Sequence, residues 1–84
     1  MDSKHRRVLE DIFERPDRAN IAWRDIEALF IVLGADVSEG SGSRVRVALY
    51  RTRAVFHRPH PRKEVSKAMV RSIPRFLEQA GVKP

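Results

Sequence analysis

Gly40-Ser41-Gly42-Ser43-Arg44-Val45-Arg46-Val47-Ala48-Leu49 reads as a flexible turn running into a strand, because from Arg44 onward basic and apolar residues alternate. A period of two sends Val45, Val47 and Leu49 to one face and Arg44 and Arg46 to the other. The apolar face needs a core and the basic face needs water or an anion. The stretch therefore predicts a sheet covered by helices on one side only.

Working outward, Ala35 to Glu39 reads as a short partner strand joined through the glycine–serine turn, and Tyr50 to Thr52 as a second turn. Arg53 to His57 reads as a third strand; with Phe56 turned to the core, Arg53, Val55 and His57 join the arginines on the outer face. His57-Arg58-Pro59-His60-Pro61 has too many prolines for a central strand and reads as a rigid extended exit. Before the sheet, Val8 with Ile12 and Leu9 with Phe13 form the stripe of a first helix, capped by Asp2 or Ser3 and ended by Pro16. Arg15 to Asn20 is a polar connection. Trp23, Ile26, Phe30 and Leu33 then recur as one face of a second helix starting at or just after Asn20 and stopping at Gly34. A last helix carries Val70, Ile73, Phe76 or Leu77, and Ala80, starts either at a Ser72 cap or near Ser66, and ends at Gly81. Pro74 predicts a kink or a two-piece helix there.

The order is α-α-β-β-β-α, an α+β fold with a three-stranded antiparallel sheet and helices on one face. Eighty-four residues make one domain, residues 1–84, with an N-terminal helix and connection over 1–19 and a core over 20–84. Without cysteine there is no disulfide, thiolate metal site or cysteine nucleophile. No uncharged apolar run offers a signal peptide or a membrane span, so a cytoplasmic protein with no membrane partner is expected.

Charge is sorted along the chain. Residues 1–34 have a net charge of −1 and residues 35–84 of +7, and Arg44 to Lys63 holds seven basic residues and no acid. A polyanionic partner is expected on the C-terminal half. Guanidinium forks on rigid strands hold phosphates bidentately, so Arg44, Arg46 and Arg53, with Arg58, His60 and Lys63 from the exit, are candidates to bind an RNA backbone, mRNA or double-stranded RNA. An exposed arginine face also serves solubility. His57 is the candidate base for a ribose 2′-hydroxyl, and arginines would supply charge stabilisation and phosphate positioning. The two histidines serve equally well as loop-packing residues or phosphate donors. His5, His57 and His60 lack a metal-ligand spacing, and no cofactor motif is present. Trp23, Phe30 and Phe56 have core spacing; Tyr50, in a turn, is the aromatic placed to stack on a base.

Five segments together are similar to the HicA toxins: Ile21 to Phe30, Leu33-Gly34-Ala35, Glu39 to Arg44, Ala54 to Pro61 and Phe76 to Pro84. The resemblance implies a double-stranded-RNA-binding-like fold, preceded here by an extra N-terminal helix, and ribosome-independent mRNA cleavage neutralised by an acidic HicB-like antitoxin; the residues themselves suit a metal-independent endoribonuclease. It also implies a catalytic histidine at the start of the second strand, after a Gly-Ser-x-His turn. Arg44 stands where that histidine would fall. As an always-charged group it cannot act as a base near neutral pH, so either His57 takes over, or cleavage is weak, or the protein only binds. Two alternatives stay open from the residues: a non-catalytic double-stranded RNA-binding module, and a domain whose basic face docks an acidic protein.

Overall fold

The apolar periodicities resolve into six elements in the computed structural model, which describes residues 1–14, 21–60 and 63–84. In chain order they are α1 (Ser3–Ile12), α2 (Trp23–Val32), β1 (Asp36–Glu39), β2 (Arg44–Leu49), β3 (Thr52–His57) and α3 (Lys67–Gln79). The strands form one antiparallel sheet in the order β1-β2-β3. This is the expected α+β architecture. The stop at Pro16, the Arg15–Asn20 connection, a start at Asn20 and Pro61 lie outside the described residues.

The core sits between the sheet and the helices. Val45, Val47, Leu49 and Phe56 from the sheet are buried with Trp23, Ile26, Leu29 and Phe30 of α2 and Val70, Ile73, Phe76 and Leu77 of α3. Phe30 stacks on Phe56 with centroids 5.8 Å apart, and Phe76 meets both edge-on at 5.7 and 5.6 Å. Each such ring contributes about 1.5–3 kcal/mol by leaving water. α1 adds Val8, Leu9 and Ile12 to the same core and packs against α2 and α3.

The ends of the helices follow local chemistry, with two departures. Asp2 caps α1, its carboxylate accepting from the His5 N–H at 2.9 Å. α2 ends in a Schellman turn in which Gly34, at φ +94°, lets Ala35 N–H reach the Phe30 carbonyl at 2.9 Å. Its start, however, has no side-chain cap: Ala22 is the N-cap, and Trp23 N–H donates to the Lys63 carbonyl at 3.0 Å. Ile21 and Ala22 form a bridge with Glu64 and Val65, so the C-terminal connection supplies what a capping side chain would. The second departure is that α3 is one element, from the Ser66 cap through Pro74 to Gln79, rather than two pieces. Pro74 removes one bond, to the Val70 carbonyl, while its ring is buried on the same face as Ile73 and Leu77.

The hairpin between β2 and β3 is tighter than the sequence suggests. Leu49 pairs with Thr52, so the turn is Tyr50–Arg51 alone and β3 begins one residue earlier than expected. Tyr50 takes φ +55° to make that turn, a conformation normally left to glycine or asparagine.

Candidate nucleic-acid interface

Register turns the alternation of three strands into rows on the outer face of the sheet. Arg44 lies opposite His57; Ser38, Arg46 and Val55 form the next row; Asp36, Ala48 and Arg53 form the third. Arg44, Arg46, Arg53, Val55 and His57 are all exposed, while their neighbours Val45, Val47 and Phe56 are buried on the other side. No helix covers this face among the described residues, since the core and its helices lie on the opposite one.

The corner at Arg44 is the most chemically loaded place on the sheet. Arg58 N–H donates to the Ser43 carbonyl at 2.7 Å, which makes Arg44 and His57 a non-hydrogen-bonded pair, the kind whose side chains stand closest. Ser43 Oγ lies 3.0 Å from His57 Nε2 and 3.3 Å from Nδ1, against the ring edge that carries both nitrogens. The hydroxyl can donate to or accept from either nitrogen, according to the tautomer of the ring. The turn itself is held by Gly40 N–H to the Arg44 carbonyl at 2.9 Å, with Gly42 at φ +64°. A shallow recess of about 380 Å³ is lined here by Ser41, Gly42, Ser43, Arg44 and His57.

Three residues predicted to hold RNA stand apart from this face. Arg58 shares the inward phase of Phe56, and its guanidinium Nη1 donates to Glu39 Oε1 at 2.6 Å. Its Nε lies 3.2 Å from Glu27 Oε1, a contact between opposite charges. The Glu39 hydrogen bond, with the charges of Glu27 and Glu39, holds Arg58 above its ordinary pKa. Glu27 also accepts from Trp23 Nε1 at 2.8 Å, so Arg58 closes a polar clasp joining α2, β1 and the end of β3. His60 and Lys63 are exposed on the connection, where Lys63 N–H donates to the His60 carbonyl at 2.8 Å. Lys63 is anchored by its backbone to the start of α2.

Two members of the outer face escape a reading of the sequence. Ser43 looks like part of a flexible turn, and its place against His57 follows from a register that the hidden two-residue turn at Tyr50 decides. Asp36 looks like a charged strand end; it is the acid on this face among the described residues, because Glu39 has the opposite phase and meets Arg58. Among the described residues no group of three His, Asp or Glu side chains could hold a metal ion. No helix of the described residues is long and apolar enough to cross a membrane.

Residues 23–82 match the sequence model of a family described as the HicA toxin of bacterial toxin-antitoxin systems. The match begins at the first residue of α2 and takes in the sheet and α3, leaving α1 outside. Neither the curated proteins nor the solved structures gave a match.

Proposed function

The chain belongs to the HicA toxin family, and from that premise we propose that it is an RNA-targeting toxin that cleaves mRNA without a metal and is silenced by an acidic HicB-like antitoxin laid over its open sheet face. Family membership implies an antitoxin partner; the RNA substrate and the antitoxin's kind are our reading. The observation that carries it is the pairing of Arg44 and His57 across β2 and β3 on an exposed, arginine-lined surface. In the proposed reaction His57 takes the proton from a ribose 2′-hydroxyl and that oxygen bonds to the adjacent phosphorus. The bond to the 5′-oxygen breaks, that oxygen takes a proton from water, and a 2′,3′-cyclic phosphate remains. Arg44 faces the same phosphate and offsets the negative charge that builds on it. Arg46 and Arg53, one and two rows along the sheet on the same side of that corner, hold the RNA beyond it.

Arg44 in the family's histidine position favours one second reading, an RNA-binding protein that obstructs its target without cutting it. Expressing the native chain and His57→Ala, and assaying purified protein on labelled RNA in chelator, separates the two. The nuclease reading expects growth arrest and cyclic-phosphate ends from the native chain, and a loss of cleavage of about 100-fold or more in His57→Ala with RNA binding retained. Intact RNA with native affinity would leave the binding reading standing alone.

A further inference from the structure

The sheet face carries a second feature that phosphate binding does not account for. In the third row Asp36 and Arg53 flank Ala48, and with Ser38, Arg46 and Val55 beside them they are among the residues lining an open depression of about 510 Å³. A carboxylate on a face that attracts phosphates repels them. Asp36 is exposed and has no ion-pair partner among the described residues, although two arginines stand nearby. It is therefore suited to a ligand that offers hydrogen-bond donors. Ala48 has nothing beyond its Cβ, so the middle of the row is a flat floor, and Val55, 60 % exposed, gives an apolar wall.

Resting on the RNA-binding reading above, we propose that this depression is a guanine pocket: a base lies over Ala48 with its donor edge on Asp36 and its acceptor edge on Arg53. Asp36 and Ala48 form a hydrogen-bonded pair and Ala48 and Arg53 a non-hydrogen-bonded one, so the backbones of the two charged residues stand roughly 10 Å apart across the floor. That span suits a planar heterocycle held from both sides. Guanine alone among the four bases presents two adjacent donors, N1–H and N2–H, which a carboxylate accepts together, while O6 and N7 are the acceptors a guanidinium grips bidentately. Arg46, in the row toward the His57 corner, is left for the intervening phosphate. The pocket's row is four residues along β2 from Arg44, roughly 13 Å. The guanosine it reads is therefore displaced along the strand from the nucleotide that is cut.

The test uses the whole chain and short 2′-O-methyl oligonucleotides, which cannot be cleaved through the 2′-oxygen, in anisotropy titrations. An oligouridine containing one guanosine should bind about tenfold more tightly than oligouridine alone. Inosine, lacking N2, and 7-deazaguanosine, lacking N7, should each forfeit most of that gain. Asp36→Asn should remove the difference between guanosine and inosine while binding oligouridine at least as well as native. Equal binding of all oligonucleotides, with Arg46→Ala still weakening them, overturns the pocket and leaves the RNA reading intact. An Asp36→Asn protein with native base preference also overturns it, and makes Asp36 a solubility charge on an edge strand. Failure to bind any RNA at low salt overturns both this inference and the reading it rests on.

Discussion

Tyr50 shows what a single residue costs and decides. Its backbone sits at φ +55° while its side chain is 73 % exposed, so little packing offsets the strain. Replacing it with glycine should stabilise the fold by about 1 kcal/mol, a rise in melting temperature of about 4–8 °C for a domain of this size; a fall would show that the phenol makes contacts worth more than the strain. The same residue explains why part of the site was hidden. Alternation in Arg44 to Leu49 makes the outward arginines legible, because side-chain direction along a strand depends on nothing distant. The opposition of Arg44 and His57 depends on a two-residue turn, and no glycine or asparagine at Tyr50-Arg51 announces one. Ser43 follows from that register. If it orients His57, Ser43→Ala should lower turnover several-fold and alter the pH profile of cleavage, with affinity for uncleavable RNA unchanged; an identical profile would reduce the contact to packing.

At the level of elements, periodicity placed all three helices, and what it missed lies where one element completes another. α2 takes its first backbone acceptor from Lys63, forty residues downstream of the helix start, and no local signature encodes such a cap. α3 passes through Pro74 because a single missing bond is offset by a buried ring among Ile73, Phe76 and Leu77. α1 is held at its first turn by Asp2, whose carboxyl is lowered below its usual 3.8, first by the His5 backbone N–H and then by the His5 ring. A depressed folded-state pKa contributes stability that is present above 3.8 and lost as pH falls through the lower folded value. Protection of the His5 amide, taken relative to its intrinsic exchange rate at each pH, should therefore fall below the usual carboxylate range, and in Asp2→Ala at neutral pH as well; unchanged protection would remove Asp2 as the cap. Arg58 joins elements rather than ending one. With a side chain only 26 % exposed and two carboxylates on it, Arg58→Ala should cost about 1 kcal/mol, most of it insensitive to the identity of any RNA. A thermal melt indistinguishable from native would show the clasp to be idle.

For the whole molecule, the sorting of charge in the sequence becomes a sorting of faces. The acids of the first half include Glu27, which meets Arg58 on the helix side, while the basic second half places Arg44, Arg46 and Arg53 together on the uncovered side of the sheet. A charge total could not have separated Arg58 from the others; only the register and the partners do. That separation yields a quantitative expectation. Each phosphate neutralised on the face releases condensed counterions, so the logarithm of RNA affinity should fall against the logarithm of salt with a slope of roughly 0.7 to 0.9 per contact. Arg46→Ala removes one contact and should reduce the slope by about one while weakening unrelated RNA sequences alike, since a phosphate contact carries no base information. Arg58→Ala is the control: its charge is already met by Glu39 and Glu27, so at temperatures where it stays folded its slope should equal the native one. If Arg58→Ala lowers the slope as Arg46→Ala does, the RNA reaches around the edge of the sheet to the clasp. If neither substitution changes it, the outer face does not hold the backbone and the antitoxin, rather than RNA, becomes the ligand that accounts for its charge.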